Sequence, residues 1–300
     1  MEILKINNLY KKFNNKEVLK GLSLSIKENS IFGFVGKNGA GKTTTMKAIL
    51  GLLKIDNGEI YVCGQKVKYG ETKTNSYIGY LPDVPEFYSF MKPLEYLKLC
   101  GEVFNLDSDE IEKRSKELLK IVGLENEDGY IKGFSRGMKQ RLGIAQALLG
   151  KPKLLICDEP TSALDPIGRK EILDVLVSVK DMTTVIFSTH ILSDVERICT
   201  DVALINDGKI VMSGTIDELK KNSKEEFIVE VTNKSDVELF NCYNDIIILG
   251  NTIKFKGDND LLNQVLEFIS KNKIMINKIE KQELDLESLF VEVVSKWNHF

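Results

Sequence analysis

Apolar positions in this chain follow two patterns that alternate along its length. One is the short solid run: Ile31-Phe32-Gly33-Phe34-Val35, Lys153-Leu154-Leu155-Ile156-Cys157 and Thr184-Val185-Ile186-Phe187-Ser188. Apolar runs of that length between turn formers read as buried strands. The other is helical spacing. It begins at Thr45-Met46-Lys47-Ala48-Ile49-Leu50 and fills most of the stretch from Leu94 to about Gly150. It returns after Asp165-Pro166 with Ile172, Leu173, Leu176 and Val179. Asp165 is the N-cap of that last helix, with Pro166 at its first position. Within the long stretch, Met138, Leu142, Ala145 and Leu149 share one helical face.

Residues 1–30 read as β-structure, from Glu2-Ile3-Leu4-Lys5-Ile6 and from the alternation at Leu22, Leu24 and Ile26. Phe13 lies between them in a polar loop, Lys11 to Asn15. An aromatic there is a core plug or a platform for a base, and the residues alone favour the plug. Asn57-Gly58 signals a turn before a strand at Ile60-Tyr61-Val62. Ile78-Gly79-Tyr80-Leu81 is a strand stopped by Pro82, and Asp83 to Pro93 is loop. Asn206-Asp207-Gly208 makes a hairpin between Val202–Ile205 and Lys209–Val211. The pattern predicts an α/β domain over 1–220 with a helical subdomain at about 85–150. Asp217 to Glu226 reads as helix and linker. Beyond it, alternation at Phe227, Val229 and Val231, a hairpin around Gly250-Asn251 and a helix through Leu261, Leu262, Val265, Leu266 and Ile269 predict a small α+β domain over 226–300. Strand-like Ile274-Met275-Ile276 and a closing helix with Leu286, Leu289, Phe290 and Val293 complete it.

Composition narrows the class. At 43% hydrophobic and 28% charged residues, the 300-residue chain is ordinary globular material. A net charge of −3 supplies no global field for nucleic acid or anionic lipid, so no nucleic-acid partner is expected. Five scattered cysteines without C-x-x-C spacing read as reduced thiols, neither a disulfide frame nor a zinc site. No apolar run approaches the ~20 residues of a membrane-spanning helix, and the start of the chain has no signal-peptide core. The expectation is a cytoplasmic protein that does not itself cross a membrane.

The chemistry begins at Gly36-Lys37-Asn38-Gly39-Ala40-Gly41-Lys42-Thr43-Thr44. It follows a strand and precedes a helix, the context that makes G-x-x-x-x-G-K-[ST] a phosphate-binding loop. Glycines let successive N–H groups point into one concavity at a helix N-terminus, where phosphate is attracted. Lys42 adds charge for the β- and γ-phosphates, and the Thr43 hydroxyl is a Mg²⁺ ligand. Asp158 and Glu159 end the second buried run. At the edge of a parallel sheet they are placed for Mg²⁺, held by Asp158 through water, and for orienting or deprotonating the attacking water with Glu159.

Two further segments, Ser135-Arg136-Gly137-Met138-Lys139-Gln140-Arg141 and Thr161-Ser162-Ala163-Leu164-Asp165, complete an ordered set of motifs. Over roughly residues 1–215 the chain strongly resembles the ATP-binding subunits of ATP-binding cassette (ABC) transporters. The resemblance implies a P-loop NTPase fold, with a RecA-like core, an antiparallel β-subdomain carrying Phe13 and a helical subdomain carrying Ser135. It implies a head-to-tail homodimer with ATP between one copy's P-loop and the other's Ser135–Gly137 segment. In that comparison Phe13 matches the adenine-stacking aromatic, and Gly36 to Thr44 match the Walker A loop. Ser135 and Gly137 match the signature segment, Asp158 and Glu159 the Walker B pair, Asp165 the D-loop carboxylate and His190 the switch histidine. A lone histidine is more often a satisfied core residue; the strand-end position after Ser188-Thr189 fits the switch. Arg136 stands where the family often has Gly, Met138 where it often has Gln, and Asp83 where it usually has the Q-loop glutamine. The signature Gly-Met-Lys-Gln-Arg, the acidic Asp83 and the C-terminal extension resemble the exporters of drugs, bacteriocins and lantibiotics that use a separate membrane permease. The implied location is peripheral, on the inner face of the membrane through that permease, docked at the loop with Phe87, Tyr88 and Phe90. The alternatives are a soluble ABC-type factor acting on ribosome or DNA, and a regulatory ATP-binding module without turnover.

Overall fold

A computed structural model describes residues 2–104, 107–221, 225–242, 246–282 and 286–290. The chain divides into two compact units, Met1–Ile216 and Asp217–Phe300.

The first unit opens with two long antiparallel strands, β1 (Glu2–Phe13) and β2 (Lys16–Lys27). The polar stretch around Phe13 is therefore not a loop: β1 runs through Phe13, and only Asn14-Asn15 turn. β3 (Ile31–Val35) is buried at every position and leads into α1 (Lys42–Ile49). β4 (Asn57–Val62) pairs with β1, and the short β5 (Gln65–Lys66) pairs with β4. The Asn57-Gly58 signal thus lies inside a strand. Gly58, at φ +102°, occupies an irregularity in the β1–β4 ladder, where a Cβ would stand 2.4 Å from the Asn8 carbonyl oxygen. Glycine is the residue that tolerates both constraints.

β6 (Ile78–Leu81) ends at Pro82 as expected. The long helical stretch is three helices: α2 (Pro93–Val103), α3 (Ser108–Ile121) and α4 (Arg136–Leu148). Then come β7 (Leu154–Asp158), α5 (Pro166–Ser178) and β8 (Thr184–Thr189). A short α6 (Leu192–Ile198), which the apolar pattern does not signal, precedes the hairpin β9 (Asp201–Asn206) and β10 (Lys209–Thr215). Two sheets result. One is antiparallel, ordered β2-β1-β4-β5; the other is ordered β10-β9-β3-β8-β7-β6 and is parallel except at β10. Their shared core includes Leu4, Leu19, Phe34, Met46, Ile156 and Ile205.

α7 (Ile216–Lys221) runs across the division, and β11 (Glu225–Val231) starts earlier than the expected linker allows. The second unit continues with a 3-10 segment (Lys234–Cys242), β12 (Ile246–Leu249), β13 (Thr252–Gly257), α8 (Asn259–Lys271) and β14 (Ile276–Gln282). Its antiparallel sheet, ordered β12-β13-β11-β14, is the split βαβ arrangement with a 3-10 segment in the place of the first helix. Phe227, Phe240, Phe255 and Val265 form its own core. The predicted strand at 274–276 is displaced: Ile274 is a buried core residue before β14, and Met275 is exposed. Residues 286–290 are helical, and Val293 lies outside the described residues. The side chains of Cys63, Cys100, Cys157 and Cys199 are free thiols, and that of Cys242 lies outside the described ones.

Candidate active site

Four adjacent parallel strands deliver the site. β3 leads into Gly36, β8 into His190, β7 into Glu159, and β6, through Pro82, into Asp83. Ligands of open parallel sheets bind beyond the carboxyl ends of the strands, because the connecting loops converge there. Motifs far apart in sequence meet on that edge.

Gly36 leaves β3 with its N–H donating to the Thr189 carbonyl at 3.2 Å. A Cβ on Gly36 would fall 2.5 Å from the Ile205 carbonyl oxygen, so only glycine fits. Gly39 and Gly41 have φ of +84° and +115°, the left-handed region that glycine reaches without strain. Lys42 is 5% exposed and folds back, its Nζ donating to the Gly36 carbonyl at 2.6 Å. The same Nζ pairs with Glu159 Oε1 at 2.9 Å, and the other Glu159 oxygen lies 2.9 Å from His190 Nδ1. His190 is exposed, so it is not a satisfied core histidine. Beneath them, Ser188 Oγ donates to Asp158 Oδ1 at 2.6 Å and accepts the Glu159 N–H at 2.9 Å. Glu159 itself sits at φ +49°, an uncommon backbone state for a residue with a side chain.

A cleft of about 550 Å³ opens on this edge. Phe13, Asn38, Gly39, Gly41, Lys42, Thr43, Thr44, Asp83, Glu159 and His190 line it, as do Lys16, Val18 and Ser162. Gly36, Ala40 and Asp158 are buried and do not line it. Phe13 is 45% exposed on the rim, with Lys11 Nζ 5.0 Å from its ring centre. The core-plug reading is therefore wrong: Phe13 is the last residue of β1, paired with Lys16 beside the turn, and its ring is nearly half exposed on the rim.

A family model described as ABC transporter matches residues 19–162. The bacitracin transport ATP-binding protein BcrA of Bacillus licheniformis is 36% identical over 305 residues, 97% of each chain. This chain belongs to the ABC transporter ATP-binding proteins. An ABC transporter ATP-binding protein of Bacillus subtilis, YxlF, is 43% identical over 223 residues, 74% of each chain. Among solved structures, cbiO1 of Clostridium perfringens, part of the ABC transporter complex cbiONQ, superposes with a TM-score of 0.68. It is 28% identical, over 81% of this chain and 96% of that one. The chain is a P-loop ATPase cassette that binds ATP, and its likeness to a bacitracin transport protein puts it with the exporter branch.

The remaining motif residues of the cassette lie away from the cleft. Ser135 caps α4, its hydroxyl accepting the Met138 N–H at 3.2 Å, and Gly137 follows in the first turn. Asp165 caps α5 by accepting the Gly168 N–H at 3.2 Å. None of the three lines the cleft. Asp83 is reached from α4 by two side chains. Arg136 Nη2 donates to its carboxylate at 3.1 Å, and the buried Gln140 donates to its carbonyl at 2.6 Å. Burial pushes the Asp83 carboxyl up, Arg136 pulls it back, and the charges of Asp158 and Glu159 add to the rise. Beside it, burial pushes the Tyr80 hydroxyl up to about 12, with Asp158 contributing.

Motif reasoning missed Ser188, Gln140 and Ser162, and also Asp194. Asp194, 4% exposed on α6, accepts from Thr161 Oγ1 at 2.8 Å and from Arg169 Nη2 at 2.6 Å, fastening the segment after Glu159 to α5 and α6. A polar residue closing a solid apolar run was the one available signal for Ser188, and Asp194 lies in a mixed segment that carries none.

Proposed function

We propose that this cassette works as a head-to-tail homodimer. Each ATP is held between one copy's P-loop and the other copy's Ser135–Gly137 segment, and hydrolysis powers a separate membrane permease that exports a drug, peptide antibiotic or similar small molecule. The observation that carries the reading is the division of labour within one chain. Lys42, Thr43, Glu159 and His190 meet in one cleft, while Ser135 and Gly137 start α4 outside it. A hydroxyl and an N–H at a helix start suit a phosphate supplied from elsewhere.

Each residue in and beside the cleft has a definite task. The P-loop N–H groups and Lys42 bind the phosphates, and Phe13 offers a ring face to the adenine. Thr43 and Asp158 are hard oxygen donors that fit Mg²⁺. Thr43 in the cleft and Asp158 beneath it, through water, would hold the ion, which would supply neutralisation of phosphate charge. Glu159 takes the proton of the attacking water or orients it, and His190, 2.9 Å from Glu159, holds the carboxylate in place. Lys42 must leave Glu159 as phosphate arrives, which frees the base when substrate is present. Asp165 shapes the segment between the Walker B pair and α5.

No helix among the described residues is long and apolar enough to cross a membrane, which fits a peripheral position on the inner face through the permease. Tyr88 and Phe90 are exposed at 56% and 71%, and they offer that permease an apolar surface. Phe87 is half-buried against Tyr96, with ring centres 5.2 Å apart.

The Glu159→Gln variant tests the reading. Phosphate release should fall at least ~100-fold, the usual worth of a general base. The variant should also elute as an ATP-bound dimer on size exclusion. Phosphate release equal to the parent, with a monomer in ATP, rejects Glu159 as base and the paired arrangement together. Reconstitution with a candidate permease should raise ATP turnover, and absence of any stimulation rejects the coupling.

A further inference from the structure

Arg136 occupies the first position of α4, where a positive side chain meets the positive end of the helix dipole. Local preference does not place it there, and its partners explain it better. Its Nη2 donates to Asp83 Oδ1 at 3.1 Å and its Nε donates to the Ser162 carbonyl at 3.0 Å. Asp83 and Ser162 both line the ATP cleft, while Arg136 does not. One guanidinium therefore joins two walls of the cleft from behind. One turn further along α4, Gln140 fixes the Asp83 carbonyl at 2.6 Å, so the carboxylate has a defined seat.

Charge gives the arrangement its purpose. The Lys42 ammonium is matched by Glu159, and Arg136 is the ion-pair partner of Asp83. A triphosphate adds several negative charges to a cleft that already holds two carboxylates. The Asp83–Arg136 side chains are 47% and 40% exposed, and a pair of that kind adds little to folding stability. Bound nucleotide excludes water from the same wall, and charges separated by less water interact more strongly. The pair then matters for binding more than for folding.

We propose that Arg136 is a positioning residue for ATP in its own cleft. By seating and neutralising Asp83 and tying it to Ser162, it makes an acidic wall acceptable to a triphosphate. This rests on ATP binding in the cleft and is independent of the dimer.

The test is calorimetric binding of ATP to the full chain with a chelator present, so that no turnover contributes. Arg136→Ala should weaken ATP binding about tenfold, equal to about 1.4 kcal/mol. Arg136→Lys should recover part of the loss. Adding Asp83→Asn to Arg136→Ala should restore the parent affinity, because the unbalanced charge is gone. Uncharged adenosine should bind parent and Arg136→Ala alike. Parent-like ATP affinity in Arg136→Ala overturns the proposal. So does a double variant as weak as the single one, or an equal loss for adenosine, since each makes Arg136 a packing element only. A parent chain that fails to bind ATP overturns the cleft assignment itself, and is told apart because the defect precedes any substitution.

Discussion

Ser188 shows how much a single hydroxyl can organise. Its Oγ holds Asp158 at 2.6 Å and the Glu159 N–H at 2.9 Å, and so keeps Glu159 in a left-handed backbone state that costs about 1–2 kcal/mol for a residue with a Cβ. Removing the hydroxyl strands a buried carboxylate, a loss of about 1–3 kcal/mol. Ser188→Ala is therefore expected to unfold at lower denaturant and to lower kcat more than it raises KM. Chemical denaturation and steady-state kinetics measure both. The P-loop residues were legible because they are contiguous and each obeys a local rule: glycine at positive φ, lysine at the helix start. Ser188 was not, since its partners come from β7 and only sheet pairing makes them neighbours. Phe13 failed differently. Its surroundings decide whether an aromatic is plug or platform, and these come from the end of a strand whose length the local pattern understated.

Elements whose own residues carry a continuous pattern or a cap were the readable ones. β3, β7 and β8 carry solid apolar runs, and α5 begins with an Asp165 cap and a proline. Asn57-Gly58 carries a turn signature, yet it opens a strand whose partner is β1; glycine is needed there for backbone approach, which looks the same in sequence as need for a turn. α2 and α3 merge in the apolar pattern; they meet where Gly101 lets Ile111 approach, and an exposed set of charges crosses between them. Glu112 on α3 accepts from Lys116 on the same helix and from Lys98 on α2, each at 2.6 Å. Lys116 first and Lys98 second hold its carboxyl down to about 2 from an ordinary 4.5. The pair favours the folded, ionised form, so its contribution is full above 4.5 and disappears as pH falls through about 2. A carboxyl NMR titration should place Glu112 near 2, and Lys116→Ala should move it back up.

For the whole molecule, the arrangement of halves predicts concentration-dependent chemistry. A chain with its phosphate-binding loop in one cleft and its Ser135–Gly137 segment outside it should bind ATP alone and turn it over poorly. Specific activity is expected to rise with protein concentration and to be about 100-fold lower in a chain held monomeric, the usual loss when oxyanion donors are missing. Sedimentation and phosphate release on the same samples check this, and full turnover by a strict monomer overturns it. The second unit has a closed core of its own, yet its split βαβ topology hosts many activities, so the fold assigns it none.

The sequence by itself determined the α/β P-loop class, the place of the loop from Gly36 to Thr44 between a buried strand and a helix, the place of Asp158-Glu159 at the end of another strand, and the alternating strands of a second small unit. Those depend on local rules of backbone freedom, charge and periodicity, which read correctly from neighbours in the chain. Only the tertiary structure decided that β6, β7, β8 and β3 lie side by side, and therefore that Asp83, Glu159, His190 and Lys42 share one cleft while Ser135 and Gly137 do not. It also paired Arg136 with Asp83, turning two separate departures from the family pattern into one ion pair. Strand order and side-chain approach across the sheet are set by packing between distant segments, and no window of sequence contains both partners.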